Sequence, residues 1–186
     1  MLSHEQCVTL LKTVRVPAYR AALGVMYGCG LRISEAVGLR VKDIDKERQV
    51  IRVVGKGNKE RLTPVPAALL KDLRGVWLEH RNPEWVFLNK AKTGPLEAAV
   101  LTKVFGMVRG ELELDVFITP HTLRHSYATR LIERGIPIET VRIVLGHASM
   151  KTTQTYLHLT QPLQEQIRTA VNGLSISLSA PEGAVS

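Results

Sequence analysis

The sequence has few cysteines and no long apolar run. Only Cys7 and Cys29 occur in 186 residues, and neither belongs to a CxxC pair. We therefore expect buried thiols in a reducing compartment, not a disulfide framework or a zinc site. No stretch reaches the roughly 18 apolar residues of a membrane span. The N-terminus "MLSHEQCVTLLKTV" lacks a small-residue cleavage site, so it is not a signal peptide. These absences predict a cytoplasmic chain without a membrane partner.

Acidic and aromatic residues are also scarce, which disfavours several kinds of metal site and an RNA-binding surface. Asp and Glu number 17 against 25 Lys and Arg, which gives a net charge of +8 and favours an anionic partner such as nucleic acid. No acidic cluster is present, which disfavours two-metal phosphoryl transfer. His121 and His125 are four residues apart, but Thr122 stands where the HExxH zinc motif needs glutamate. No aromatic platform of the RNA-binding kind is visible. We predict neither a metal nor a cofactor.

The apolar pattern predicts an α+β, mainly helical single domain of about eight or nine helices with a small three-stranded antiparallel sheet. Ser3 and Gln6 form a capping-box pattern before the first helix. The stretch "QVIRVVGKGNKERLTPVP" alternates on both sides of a glycine-rich turn and predicts a β-hairpin, not a phosphate-binding loop. A third strand is expected at 84–89, "EWVFLN". Helices are expected at about 4–14, 17–28, 35–39 (capped by Ser34), 66–80, 96–110, 120–134, 138–145, 152–158 and 162–172.

One of these helices concentrates basic side chains at its N-terminal end. Thr119 and Pro120 are typical of a helix start, and Gly135 is typical of its end. His121 and Arg124 are three residues apart and share one face of the first turn. Unpaired N–H groups and the helix dipole already attract anions there. The pair therefore predicts a pocket for a phosphate or a carboxylate.

Four motifs occur in a particular order along the chain. They are "GLRISE" at 30–35, "GKGNKER" at 55–61, "HTLRH" at 121–125, and "LGH" at 145–147 followed by Tyr156. One such motif is weak evidence, but four in order are specific. On these motifs the chain resembles the catalytic domain of the tyrosine recombinases, the phage-integrase and Xer-type family. The resemblance extends from about Leu2 to Leu163.

The resemblance implies roles for the basic motif residues. Arg32 and Arg124 would hold the non-bridging oxygens of a scissile DNA phosphate. His121 and His147 would hydrogen-bond the same phosphate, and His121 would also handle the proton of the nucleophile. Lys56 would protonate the leaving 5′-hydroxyl.

The resemblance also implies the nucleophile and the overall reaction. Tyr156 would attack phosphorus to give a 3′-phosphotyrosine and a free 5′-hydroxyl, and Glu35 would support the first histidine. Site-specific recombination would follow, by strand exchange and religation without ATP or metal. The implied partners are double-stranded DNA and further copies of the chain, which is expected to be a monomer in free solution and a tetramer on two DNA sites.

These residue types suit phosphodiester chemistry on physical grounds. Two guanidinium forks can hold the negative oxygens of the transition state. A phenol with a pKa of about 10 is a poor nucleophile at neutral pH. It needs a base and nearby positive charge, and the leaving alkoxide needs an acid.

Each position also has a purely structural interpretation. Tyr156 could be a half-buried core residue and Lys56 an ordinary turn lysine. His147 and Glu35 could be simple partners of helix dipoles. The joint arrangement favours catalysis. Two further sets of basic residues lie outside the motif roles. Candidates for non-specific phosphate contacts include Lys42, Lys59, Arg61, Lys103, Arg109 and Lys151, whereas His125, Arg130 and Arg134 are expected to be scaffold or surface.

The family resemblance also predicts a domain organisation. We expect a catalytic domain over 1–174 and a flexible tail over 175–186, with the family's N-terminal core-binding domain absent, in a fragment or in a naturally short enzyme. Both cases predict weak DNA binding. The helix at 162–174 would dock on a neighbouring protomer or pack on its own domain. A type IB topoisomerase, a DNA-binding regulator and an RNA-binding domain are the alternatives.

Overall fold

Eight α-helices and a small sheet form the part of the chain that the computed structural model describes, residues 1–55, 60–146, 159 and 161–174. The helices are α1 His4–Thr13, α2 Pro17–Cys29, α3 Ile33–Val37, α4 Ala67–Leu78, α5 Ala98–Glu111, α6 Pro120–Glu133, α7 Ile138–Leu145 and α8 Gln161–Asn172. The strands are β1 Ile44–Asp45, β2 Val50–Val54 and β3 Glu60–Pro64. Across these residues, none of the helices is both long and apolar enough to cross a bilayer. The predicted helix at 152–158 and the tail at 175–186 lie outside the described residues.

Local capping patterns account for where several helices begin. The predicted capping box of α1 is confirmed, since the Gln6 backbone N–H donates to Ser3 Oγ at 3.1 Å and Ser3 N–H donates to Gln6 Oε1 at 2.9 Å. The prediction that Ser34 caps α3 is wrong. Arg32 is the N-cap residue, and its backbone N–H donates to Glu35 Oε2 at 2.7 Å, because a glutamate at the third helical position reaches back to the cap.

The sheet contains the predicted hairpin, but its third strand is a different segment. β2 and β3 pair antiparallel, with Val50 opposite Pro64 and Val54 opposite Glu60. β1 pairs with the other edge of β2. The strand predicted at 84–89 is wrong: that stretch makes two isolated bridges, Arg40 to Trp85 and Leu88 to Pro95. Because the segment pairs with Arg40 at Trp85 and with Pro95 at Leu88, it does not form a continuous ladder with either neighbour.

Helix α6 lies between two apolar clusters. Leu123 belongs to a large cluster built around α1, α2, α4 and α5, whereas Tyr127 and Leu131, one and two turns further on, belong to a second cluster with α7 and α8. The first turn of α6, where the sequence concentrates basic side chains, therefore sits at the junction of the two clusters.

The C-terminal helix α8 packs on its own domain. Ile167 and Val171 are buried in the second cluster. Arg134 donates to the carbonyls of Ala170 and Gly173, both at 2.9 Å, and so caps the end of α8. Of the two placements considered for this helix, the structure has the intramolecular one.

Gly30 allows α2 to end directly against α6 and α7. Its φ of +66° is in the left-handed region, and a Cβ there would lie 2.6 Å from the Tyr127 ring and 2.8 Å from Leu145 Cδ2. Both the backbone angle and the space therefore require glycine.

We expect Gly30→Ala to lower the free energy of unfolding by at least about 2 kcal/mol, from backbone strain together with overpacking. Urea unfolding measures this. The matched control is Gly75→Ala in α4, where a Cβ meets nothing within 4 Å. It should leave stability unchanged or raise it by up to about 1 kcal/mol. Equal effects of the two substitutions would contradict the packing argument.

Candidate active site

A single buried carboxylate, that of Glu35, organises the candidate site. Its side chain is 6% exposed and accepts hydrogen bonds from two arginine side chains. Arg61 donates Nη1 to Oε1 at 2.8 Å and Nη2 to Oε2 at 2.7 Å, the bidentate geometry in which a guanidinium matches a carboxylate. Arg32 adds a bond from Nη1 to Oε1 at 3.0 Å.

Arg124 approaches the same carboxylate from α6. Its Nη1 is 3.9 Å from Glu35 Oε2, and its side chain is 7% exposed. The guanidinium also donates to the carbonyl of Gly30 and, at 2.7 Å, to that of Leu145. These bonds tie the ends of α2 and α7 to the first turns of α6. They engage two of the five N–H donors that a guanidinium carries.

Charge in this cluster is unbalanced. Three guanidiniums face one carboxylate, and within the described ranges no second acid forms an ion pair with any of the three. Burial raises the pKa of Glu35, but the hydrogen bonds and charge of Arg61, together with the hydrogen bonds of Arg32, outweigh it and hold that pKa at about 2. Burial, followed by the charges of Arg32 and Arg61, lowers the pKa of Arg124 to about 10. At neutral pH all four groups are ionised and the cluster carries a net charge of +2.

Arg32 is the arginine of this cluster that solvent reaches. Its side chain is 40% exposed, against 10% for Arg61 and 7% for Arg124. It sits at the N-cap of α3. An anion arriving from solvent would therefore meet Arg32 first, with the buried charges behind it.

His121 lines a cavity beside α3. It is exposed on the first turn of α6 and lines a cavity of about 320 Å³ together with Ile33, the residue after Arg32, and Arg109 of α5. The hydrogen bonds of Glu35 go to Arg61 and Arg32. Its predicted support of His121 stays a prediction. Arg109 donates to the carbonyls of Val116 and Ile118 and so fixes the loop before α6.

The structure thus brings together Arg32, Glu35 and Arg124, and it places His121 next to α3. Lys56, His147 and Tyr156 lie outside the described residues, so their predicted roles stay predictions. Across residues 1–55, 60–146, 159 and 161–174, no three His, Cys, Asp or Glu side chains cluster so as to hold a metal ion.

Arg61 was among the candidates for non-specific phosphate contacts, but in the structure it is 9% exposed and paired with Glu35. The available indication was its place at the end of the "GKGNKER" motif. In the structure, strand β3 is buried from Arg61 to Pro64, on both of its faces. The remaining basic residues of α6 match their prediction as scaffold or surface. Arg130 pairs with Glu133 at 2.6 Å, and Arg134 caps α8.

The fold and site define a helical domain built around a buried, arginine-rich site suited to an anion. The model of the phage integrase family matches residues 1–162. The chain belongs to the phage integrase family, which confirms the resemblance carried by the four motifs.

Similar proteins agree with this assignment. The chain is 44% identical over 140 residues to "Tyrosine recombinase XerC" of Mesorhizobium japonicum, covering 73% of this chain and 45% of that protein. It is 36% identical over 180 residues to "Tyrosine recombinase XerA" of Pyrococcus furiosus, covering 91% and 61%. The chain spans about half the length of the curated relatives it matches.

Two solved structures share the fold at 26% identity. The crystal structure of XerA recombinase superposes with a TM-score of 0.70 over 90% of this chain and 63% of that one. XerH site-specific recombinase bound to difH substrate, a pre-cleavage complex, gives a TM-score of 0.70 over 89% and 52%. The predicted α+β fold is confirmed.

The pKa of Glu35 leads to a pH prediction. Its folded-state pKa of about 2 lies below the ordinary value of 4.5, so its contribution to stability is complete above pH 4.5 and is lost as the pH falls towards 2. We expect the free energy of unfolding to fall, between pH 6 and pH 2, by about 3 kcal/mol more in the wild type than in Glu35→Gln. Urea unfolding across that range measures the difference.

The control is Glu139→Gln, which removes an exposed carboxylate 3.7 Å from Arg142. It should follow the wild-type pH dependence and change stability by less than about 1 kcal/mol. Parallel curves for the wild type and Glu35→Gln would show that Glu35 is not held ionised by the arginines.

Proposed function

We propose that this chain carries the catalytic domain of a site-specific DNA recombinase. Tyr156 attacks a DNA phosphodiester, the 5′-hydroxyl leaves, and a 3′-phosphotyrosine link forms. The hydroxyl of the exchanged strand then attacks that link and releases the tyrosine. The number of phosphoester bonds is the same before and after, so the cycle needs no ATP.

The observation that carries this proposal is the charge surplus around Glu35. Three guanidiniums with one carboxylate leave a net charge of +2 in a largely buried site, which is costly unless an anion shares it. A phosphodiester brings the complementary charge, and its transition state concentrates more negative charge on the oxygens. The low local polarity strengthens this attraction, and the fixed guanidiniums need no rearrangement when the reaction occurs.

Each described residue has a role consistent with its position. Arg32, which solvent reaches, would hydrogen-bond a non-bridging oxygen of the phosphate. Arg124 would offer the phosphate its remaining N–H donors and its positive charge from the buried side of the site. His121, exposed on the first turn of α6, would face the same phosphate and exchange a proton with the tyrosine. Glu35 touches neither phosphate nor tyrosine in this scheme; it positions the arginines.

The remaining roles rest on the family motifs. Lys56 would protonate the leaving 5′-hydroxyl, and His147 would hydrogen-bond the phosphate. Arg32, Lys56, His121, Arg124, His147 and Tyr156 together form the proposed catalytic set, with no metal and no cofactor.

Double-stranded DNA is the proposed partner. The XerH relative is described as bound to its difH substrate, and the net charge of +8 of this chain suits a polyanion. Four copies on two DNA sites would complete recombination, with the free chain a monomer. Such a protein would work in the cytoplasm, on the nucleoid.

A nicked suicide substrate tests the chemistry. The nick lets the short cleaved fragment diffuse away, so the covalent protein–DNA adduct accumulates. We expect an adduct with the wild-type chain and none with Tyr156→Phe, measured on denaturing gels. Arg32→Ala should slow adduct formation by about 10²- to 10³-fold, because a donor to the transition-state oxygens is lost.

Two control substitutions accompany this experiment. Tyr19→Phe alters a partly buried tyrosine of α2, and Arg15→Ala alters an arginine whose side chain is 86% exposed. Both should form the adduct at the wild-type rate. An adduct with Tyr156→Phe equal to that of the wild type would overturn the nucleophile assignment.

A further inference from the structure

We propose that Arg61 is a positioning residue that fixes three separate segments of the proposed active site relative to one another. The inference rests on the proposed function. The segments are strand β3, which Lys56 precedes in the sequence; helix α3, which carries Glu35 beside Arg32; and the end of α7, which His147 follows in the sequence.

Every nitrogen of the Arg61 guanidinium contacts one of these segments. Nη1 and Nη2 donate to the two oxygens of Glu35 at 2.8 and 2.7 Å. Nε donates to the carbonyl of Val144 at 3.1 Å, in the last turn of α7. That bond satisfies a carbonyl with no partner inside the helix. The sequence separation of 83 residues shows that the contact joins distant parts of the chain.

The aliphatic part of the Arg61 side chain constrains the same helix end sterically. Gly146 caps α7 with a φ of +69°, and a Cβ there would lie 2.7 Å from Arg61 Cδ. Arg61 therefore passes directly against the residue that precedes His147. Hydrogen bonding and packing both act on this one helix end.

Stability alone does not account for an arginine here. The site already holds two other guanidiniums against one carboxylate, and the charge of Arg61 is among the causes that lower the pKa of Arg124. A buried ion pair contributes little net stability compared with apolar residues of similar size. A planar guanidinium that binds a carboxylate on one edge and a carbonyl on another does, however, fix the orientation of α3 relative to α7. Lysine retains the charge but cannot make all three bonds.

Loss of these bonds would affect catalysis through His147, which follows α7, and through Glu35. The end of α7 would lose its attachment to Glu35, and displacement of a catalytic group by about 1 Å can cost on the order of 10²-fold in rate. The carboxylate would also lose its main partner, so that burial raises its pKa. The charged groups facing Glu35 are Arg32 from its own N-terminal loop, Arg61 from β3 and Arg124 from α6.

The test compares Arg61→Lys with Arg52→Lys. Arg52 lies on β2 of the same hairpin and donates Nη2 and Nε to Asp43 at 2.6 and 3.0 Å, an arginine–carboxylate pair outside the cluster. Single-turnover adduct formation on the nicked substrate is measured against DNA concentration and against pH, with the unfolding free energy of each protein. We expect Arg52→Lys to match the wild type in rate and in pH profile.

For Arg61→Lys we expect a rate at saturating DNA at least about 10-fold lower. The half-saturating DNA concentration should stay within about 3-fold, since non-specific phosphate contacts dominate binding. The acid limb of the rate profile should move to higher pH. A rate that falls only in proportion to the folded fraction, with an unchanged acid limb, would mean a purely structural role and would overturn the proposal.

A second variant covers the possibility that lysine prevents folding. Arg61→Met keeps the aliphatic volume and leaves Glu35 paired with Arg32 and Arg124. It should unfold cooperatively and show the same loss of saturated rate, and a folded variant with the wild-type rate would contradict the positioning role. Failure of the wild type to form a Tyr156-dependent adduct would instead overturn the proposed function, so the two failures are distinguishable.

Discussion

The ionised carboxylate of Glu35 is the group on which the site depends. At 6% exposure its charge is unsupported by water, and its energy is acceptable only because guanidiniums from three different segments surround it. Arg32 reaches it from the start of α3, Arg61 from β3 and Arg124 from α6. Those segments are far apart in sequence. The ion pairs with Glu35 therefore hold them together at one site.

The two apolar clusters determine how this assembly is held. α6 enters the first cluster at Leu123 and the second at Tyr127, so Arg124 between them has little freedom to move. Gly30 then lets the end of α2 approach α6 closely enough for its carbonyl to accept from Arg124. Apolar packing on both sides therefore restrains the backbone around Arg124, and the hydrogen bond to Gly30 orients its guanidinium. Arg32 lacks such packing on its outer side and is left facing solvent.

Local patterns in the sequence predicted the helices and the hairpin, whereas the resemblance to the tyrosine recombinases implied that Arg32, Glu35 and Arg124 meet at one site. Capping boxes, N1 proline and terminal glycines are short-range features, so α1, α2 and α6 begin where they were expected. The failures are non-local. The stretch at 84–89 looks like a strand but divides its pairing between two partners, and Arg61 looks like a surface residue until Glu35 and Val144 are placed beside it. No spacing rule encodes such contacts.

The distribution of charge separates the work of the three arginines. Arg61 and Arg124 give hydrogen bonds to backbone carbonyls at the end of α7, to Val144 and Leu145, whereas Arg32 keeps its outer side open. In the proposed reaction the buried pair would supply fixed positive potential and geometry, Arg124 would add its remaining N–H donors, and the exposed Arg32 would make the outermost contact with the phosphate. Because the potential is built into the fold, an anion that binds at Arg32 meets a field already oriented, which is the condition under which electrostatics lowers a reaction barrier rather than merely tightening binding.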